Sequence, residues 1–154
     1  MLDTLFTERW QLLLDTIVVI DEGEGSARDK LHRVASFIID SYRHEPELMK
    51  VIIVEVTRAA NSFGRAHLDK IDEAYALIAG IVESARDDGH FKADISAQFA
   101  AMCFYGAIEQ LLTAWIFDLM PHEDDDYERA KALVVETICG GLEAAGADAP
   151  AISR

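Results

Sequence analysis

The segment from Phe104 to Trp115 constrains the fold of this chain more than any other part. It follows a helical spacing that is apolar on nearly every side, with one carboxylate, Glu109, and several small residues inside it. A helix that is apolar all round must be covered all round, and one small domain rarely covers it with its own residues alone. The segment therefore predicts a core helix whose remaining face packs against a second copy of the chain.

Length and charge narrow the class of protein. A chain of 154 residues fits a single domain and can bury a core without disulfides or metals. Its 14 basic and 28 acidic residues give a formal net charge of -14, which repels phosphate backbones and anionic membranes. We therefore expect no DNA binding by these residues themselves.

The cysteines and the chain start indicate the compartment. Cys103 and Cys139 lie in apolar surroundings without a C-x-x-C or histidine spacing, which predicts small core residues in a reducing compartment. The first residues show no basic segment followed by a small-residue cleavage site. We therefore expect a cytoplasmic location.

The stretch 95–117 is long and apolar enough to suggest a membrane span. Glu109 near its middle is costly in lipid, and no Lys or Arg anchors flank it. The other segments are amphipathic, so a buried core helix and no membrane association are expected.

Apolar residues recur at spacings of three and four along almost the whole chain, which predicts an all-α domain of six helices. The first helix is expected from Leu2 to Ile20 and the fourth from His67 to Asp88. The fifth is expected from Ile95 to Asp118, and the sixth from Tyr127 to Leu142 behind the acidic run 123–126. We expect one domain over residues 1–146, followed by a disordered tail at 147–154 that carries no helical period.

Local signals mark where helices begin and end. Ser26 with Asp29 three residues later predicts a capping pair for the second helix, which should end before Pro46. Gly89 is the expected C-cap of the fourth helix and Asp94 the expected N-cap of the fifth.

The third segment has conflicting signals. Val51 to Val56 reads as a strand on propensity. Pro46 suits a first helical turn, and a lone strand would have no partner among helices, so a helix is predicted. A kink or short loop is expected between Ala60 and Ala66.

No constellation of an enzyme or metal site is visible. The histidines do not form the paired Glu-x-x-His or His-Glu-x-x-His spacings of metal sites, and no nucleophile elbow or P-loop occurs. Glu109 has no second titrating partner on its helix and is interpreted as a structural acid, hydrogen-bonded by Gln110, Thr113 or a facing backbone. We therefore expect no catalysis, no cofactor and no metal.

Local positive charge stands out against the acidic background. Arg58, Asn61 and Arg65 flank the expected kink, next to apolar helix faces. An amphiphilic anion would find both a charged and an apolar environment there.

Two segments carry a resemblance to a known family. A Glu-Pro-Glu-Leu entry to the third helix, here Tyr42–Leu48 (YRHEPEL), and the segment Gly106–Trp115 (GAIEQLLTAW) resemble the C-terminal regulatory domain of TetR-family transcriptional regulators. Within that family, the chain is most similar to the fatty-acid-degradation regulators that sense acyl-CoA. The resemblance extends over roughly residues 2–142.

The resemblance implies a homodimer in which the fifth and sixth helices of both subunits form a four-helix bundle. The residues it assigns to dimerisation are Ala100, Gly106, Glu109, Thr113, Val134 and Ile138.

It also implies a ligand cavity among the first, second, fourth and fifth helices, with a fatty acyl-CoA or similar hydrophobic effector. The implied lining residues are Tyr75, Ile78, Phe104, Tyr105 and Ile108. Arg58, Asn61 and Arg65 would then bind the polar head of that ligand.

The chain departs from the family because the basic N-terminal helix-turn-helix domain is absent from this sequence. DNA would be reached only through such a domain, so these residues are expected to be an effector-sensing and dimerisation domain of a repressor. One alternative is a ligand-independent interaction module that forms heterodimers with a full-length regulator. A helical-bundle enzyme is a second alternative, which lacks a visible acid–base pair.

Overall fold

Six helices account for most of residues 2–62 and 65–143, the parts of the backbone that the computed structural model describes; side chains are described for 4–54 and 68–143. The helices are α1 Leu2–Glu22, α2 Ala27–His44, α3 Pro46–Ser62, α4 Arg65–Asp87, α5 Ala97–Ile116 and α6 Asp124–Leu142. The predicted all-α fold with six helices is confirmed. The expected tail at 147–154 lies outside the described residues.

Helix α2 is the central element, because it packs against each of the other five helices. Its apolar stripe at helical spacing is buried completely at Leu31, Val34, Ala35 and Ile39. Helix α4 packs mainly against α1 and α5, and α6 packs against α2 and α5. The core thus lies around α2, and α1, α3 and α6 are arranged about it.

The start of α2 confirms the expected capping pair. The Ser26 hydroxyl accepts a hydrogen bond from the Asp29 amide (3.1 Å), and the Asp29 carboxylate accepts one from the Ser26 amide (3.2 Å). The start of α5 differs from the prediction, since Ser96 rather than Asp94 is its N-cap. The Ser96 hydroxyl accepts a hydrogen bond from the Phe99 amide (3.2 Å), three residues later, as an N-cap side chain does. Asp94 lies two residues before this N-cap position.

Segment Val51–Val54 is helical, as predicted against its strand propensity. No other described segment forms a strand that could pair with it, so the helical alternative is the one that satisfies its backbone. The expected break between Ala60 and Ala66 includes residues 63–64, which are outside the described backbone; α3 ends at Ser62 and α4 begins at Arg65.

The boundaries of α1, α4 and α5 differ from those expected by one or two residues, and α6 begins three residues earlier than expected. Helix α5 ends at Ile116, because Asp118 takes a positive φ of 55° and the chain turns there toward α6. Gly89 also has a positive φ, 80°, at the end of α4, where its amide donates to the Arg86 carbonyl. The Lys92 amide then donates to the Leu142 carbonyl (2.6 Å), which joins the α4–α5 connection to the end of α6.

A buried lysine joins α2 to α6. The side chain of Lys131 is almost fully buried, with its residue 4% exposed, and its ammonium contacts Asp40 (2.7 Å) and Glu128 (2.8 Å). Burial lowers the pKa of Lys131, but hydrogen bonds to both carboxylates outweigh it, so the pKa lies above its ordinary value. The burial of Lys131 was not predicted from the sequence.

We expect Lys131→Ala to lower the free energy of unfolding by about 2 kcal/mol. The variant loses the buried aliphatic part of the lysine side chain and leaves the Asp40 carboxylate without its ammonium partner. Chemical unfolding followed by circular dichroism measures this change. Arg129→Ala on the same helix is the control, since Arg129 is exposed, and it should change stability by less than about 0.5 kcal/mol. An equal decrease in the free energy of unfolding for both variants would show that the buried ion pair does not stabilise the fold.

Glu109 lies half-buried at the contact of α5 with α4, close to the phenols of Tyr75 and Tyr105. Thr113 Oγ1 donates to the main-chain carbonyl of Glu109 (2.9 Å), and not to its carboxylate as was expected. Because burial disfavours the charged carboxylate, it raises the pKa of Glu109 above its ordinary value. The folded protein therefore holds this proton more tightly than the unfolded chain does.

A raised carboxyl pKa makes the folded state less stable as pH rises through the window between the ordinary value and the folded value. We therefore expect Glu109→Gln to raise the melting temperature at pH 7.5, with a difference that shrinks as pH falls toward 4. Differential scanning calorimetry at both pH values measures it, with Glu83→Gln on the exposed surface of α4 as control. A difference independent of pH would contradict this account.

Candidate functional site

An apolar cavity of about 50 Å³ lies among α1, α2, α3 and α5 and is partly open to solvent. Its lining residues are Arg9, Trp10, Leu12, Leu13, Phe37, Ile38, Ser41, Met49, Ile52, Ile53, Tyr105 and Leu112. They recur at helical spacings on each element, so each helix presents one face to the same space. Most of them are aliphatic or aromatic, and few polar groups reach the cavity.

The polar groups inside the cavity are neutral. Burial, together with nearby Glu109, raises the pKa of Tyr105 well above its ordinary value, so its phenol stays protonated. Ser41 Oγ donates to the Phe37 carbonyl of its own helix (2.7 Å). The buried indole Nε1 of Trp10 has no hydrogen-bond partner in the described part of the chain, and its ring lies 5.9 Å from that of Tyr105.

A charged pair stands at the edge of the cavity. Nη2 of Arg9, on α1, lies 2.8 Å from Oε1 and 2.7 Å from Oε2 of Glu45, the residue between α2 and α3. The two side chains are 33% and 48% exposed, so water reaches both. Arg9 is the cation among the described lining residues, and Glu45 neutralises it.

Of the five predicted lining residues, one lines this cavity and four do not. Tyr105 lines the cavity, and Tyr75 meets the ring of Tyr105 edge-on at 5.5 Å without lining it. Ile78, Phe104 and Ile108 are completely buried in the core and do not line this cavity either. The third helix, rather than the expected fourth, supplies a side of the cavity through Met49, Ile52 and Ile53.

The expected polar-head residues Arg58, Asn61 and Arg65 have side chains outside the described part of the structure. Their role stays a prediction.

The first helix was expected at the cavity, but none of its residues was named as lining. Trp10 is buried and lines the cavity, and Arg9 lies at its edge. A usable signal was present, since Arg9 and Trp10 adjoin the apolar stripe and Glu45 directly precedes Pro46. Their pairing depends on how α1 crosses the α2–α3 corner, which helical spacing does not specify.

A second candidate surface lies on the side of α5 and α6 that faces away from the core. Large apolar side chains are exposed there, with Phe99 63% and Leu133 56% exposed, together with Met102. We call Phe99, Met102, Gly106, Leu133 and Ile138 the α5–α6 face. A groove of about 410 Å³ runs beside it, lined by Ala107, Leu111, Met120, Pro121, Asp126, Arg129, Ala130, Leu133, Val134, Thr137 and Ile138.

The residues assigned to dimerisation occupy different positions relative to this face. Gly106, Thr113 and Ile138 are half-buried and partly accessible to a partner. Ala100 and Val134 are only 4% and 6% exposed, so most of their surface is already covered within the chain.

Glu109, the sixth residue assigned to dimerisation, is half-buried and close enough to Tyr75 on α4 to raise the pKa of that phenol.

The cysteines differ from each other. Cys139 is buried, which raises the pKa of its thiol to about 11 and makes it a poor nucleophile. Cys103 is exposed on α5, and the expectation that it lies in the core is wrong. It follows Met102 on the side of α5 opposite the buried residues Phe104 and Ile108, which explains the exposure.

Helix α5 is long and apolar enough to satisfy a membrane-span criterion, and among the described residues it is the one helix that does so. Core helices of soluble proteins satisfy the same criterion, so it carries little weight. Across the described part of the chain, no group of three or more His, Cys, Asp or Glu side chains could hold a metal ion.

Known proteins share this architecture. A crystal structure of a member of the TetR transcriptional regulator family from Streptomyces coelicolor A3 is similar with a TM-score of 0.65 and 19% identity, over 92% of this chain and 71% of that chain. At this identity the likeness shows the fold alone. No curated protein matches the chain. The family model for the tetracyclin repressor-like C-terminal domain matches residues 28–138. Because this match spans well over half of the chain, the protein belongs to the tetracyclin repressor-like family and carries its C-terminal domain.

Proposed function

We propose that this chain is the effector-sensing and dimerisation domain of a TetR-type transcriptional repressor. The apolar cavity among α1, α2, α3 and α5 is the main support for this proposal, because it has few polar groups and opens to solvent. The family match of the chain agrees with this proposal. The domain performs no chemistry and works in the cytoplasm. DNA would be contacted by a separate domain, because the acidic charge of these residues repels phosphate.

The proposed effector is a hydrophobic small molecule. Fatty acyl-CoA is the candidate that the sequence resemblance suggests, and Arg58, Asn61 and Arg65 are its proposed head-group ligands. Tyr105 is the proposed lining residue that sequence and cavity have in common.

Ser41→Leu should abolish or strongly weaken effector binding, because an apolar side chain enters the cavity while only a hydrogen bond within α2 is lost. Native mass spectrometry with a mixture of acyl-CoAs of different lengths measures the bound fraction, which we expect to fall at least about tenfold. Ser36→Leu on the same helix is the control, since Ser36 is half-buried but does not line the cavity. Equal acyl-CoA binding by both variants would place the effector elsewhere.

We also propose that the α5–α6 face forms the homodimer contact. Exposed Phe99, Met102 and Leu133 form an apolar surface of the kind that protein partners cover. Gly106 lies within it, and a Cβ added at Gly106 would meet no atom within 4 Å in the chain itself. A second copy could therefore approach closely at Gly106.

Gly106→Leu should prevent dimer formation while leaving the monomer folded, because the larger side chain has space within the chain but blocks the proposed partner. Analytical ultracentrifugation should show dimerisation weakened by at least about tenfold. Gly80→Leu on α4 is the matched control, since a Cβ there also meets nothing within 4 Å. A dimeric Gly106→Leu protein would contradict the proposed contact.

The alternative function is a ligand-independent module that forms heterodimers with a full-length regulator. The small size of the cavity, about 50 Å³, favours this alternative, because it offers little space for a ligand without rearrangement. A stable dimer that binds none of the offered acyl-CoAs would support it.

A further inference from the structure

We infer, building on the proposed effector cavity, that the effector carries a carboxylate and that Arg9 binds this carboxylate in place of Glu45. The ligand class is a compact organic acid with an apolar body. Arg9 thereby becomes a specificity-determining residue of the cavity.

Arg9 carries the group that can recognise a carboxylate. Its guanidinium lies at the cavity edge and already holds both oxygens of one carboxylate, at 2.8 and 2.7 Å from Nη2. Both contacts come from one nitrogen, so Glu45 does not use the two-nitrogen geometry with which a guanidinium binds carboxylates most strongly. An acidic group of a ligand in the cavity would compete with Glu45 for this guanidinium.

The Arg9–Glu45 pair is weak enough to be exchanged for a ligand. With side chains 33% and 48% exposed, Arg9 and Glu45 are screened by water, and such a pair shifts an equilibrium by less than a factor of about five. An acid whose body is held by the apolar lining competes for Arg9 with the advantage of that burial. Glu45 can then return to water, where its charge is well solvated.

The charge of the chain makes Arg9 selective for acids. The chain has a formal charge of -14, so acids are repelled in general and need a local cation to bind. Among the described lining residues, that cation is Arg9, and Trp10, Ser41 and Tyr105 bring only neutral groups. A ligand with a carboxylate therefore has a charged partner at this cavity that a neutral ligand with the same apolar body lacks, which makes a free acid a candidate beside the acyl-CoA proposed above.

The test uses the full chain and two probes that differ only in head-group charge, 3-phenylpropanoate and 3-phenylpropanamide. Ligand-observed NMR titrations at pH 7.5 give the Kd of each probe, and wild-type protein should bind the acid more tightly. Arg9→Gln should weaken acid binding by about tenfold and amide binding by less than about twofold. Lys92→Gln on the exposed α4–α5 connection removes the same charge and should leave both Kd values unchanged.

Glu45→Gln separates recognition from a merely structural role. It removes the internal competitor, so we expect acid binding to tighten about twofold to fivefold with amide binding unchanged. If Arg9→Gln and Glu45→Gln weaken acid binding equally, the pair only supports the fold and the inference is overturned.

The remaining outcomes distinguish this inference from the proposed function. Equal binding of acid and amide by wild-type protein overturns the carboxylate inference but retains the cavity as an effector site. Binding of neither probe overturns the inference together with the cavity as the effector site.

Discussion

The structure depends first on the buried apolar face of α2, which contacts each of the other five helices. The polar residues of α2 lie outside that face, and charged pairs join both ends of the helix to α6 and the residue that follows it. Arg28 near the start contacts Glu136 (2.6 Å) and Glu143, while Arg43 near the end contacts Asp124 (2.7 Å) and Glu128 (3.1 Å). These pairs fix the direction and register of α6 along α2, which apolar contacts alone specify poorly. The orientation of the α5–α6 face follows from this arrangement.

Much of this fold could be predicted because helical spacing reports directly which side of each segment is buried. The capping pair at Ser26 and the helical state of Val51 were correct for local reasons, cap geometry and the lack of a strand partner. Spacing does not report which helix covers a buried side, and the expected cavity with the fourth helix came from the family resemblance, whereas α3 lines the cavity described above. Spacing also treats a basic residue as exposed, which is why Lys131 was missed: its burial depends on Asp40, ninety-one positions earlier in the chain.

The packing of the helices and the chemistry of the cavity depend on the sequence to different degrees. A chain with 19% identity retains the same architecture, so helix packing tolerates most substitutions. The chemistry of the cavity instead depends on a few side chains such as Arg9 and Trp10. The helix packing around them is shared by the family and does not determine which residues stand at these positions. Family membership therefore identifies the kind of protein, and only individual lining residues can identify its effector.

The hydrogen bond from the Lys92 amide to the Leu142 carbonyl has a consequence for how this domain can diverge. Buried Phe91 and this bond hold the α4–α5 connection against the last turn of α6. An inserted residue between Gly89 and Phe91 would displace both, whereas the exposed turn at Glu22–Gly25 between α1 and α2 makes no comparable contact with a distant helix. Among relatives, chain length should accordingly vary at the α1–α2 turn and remain nearly constant at the α4–α5 connection.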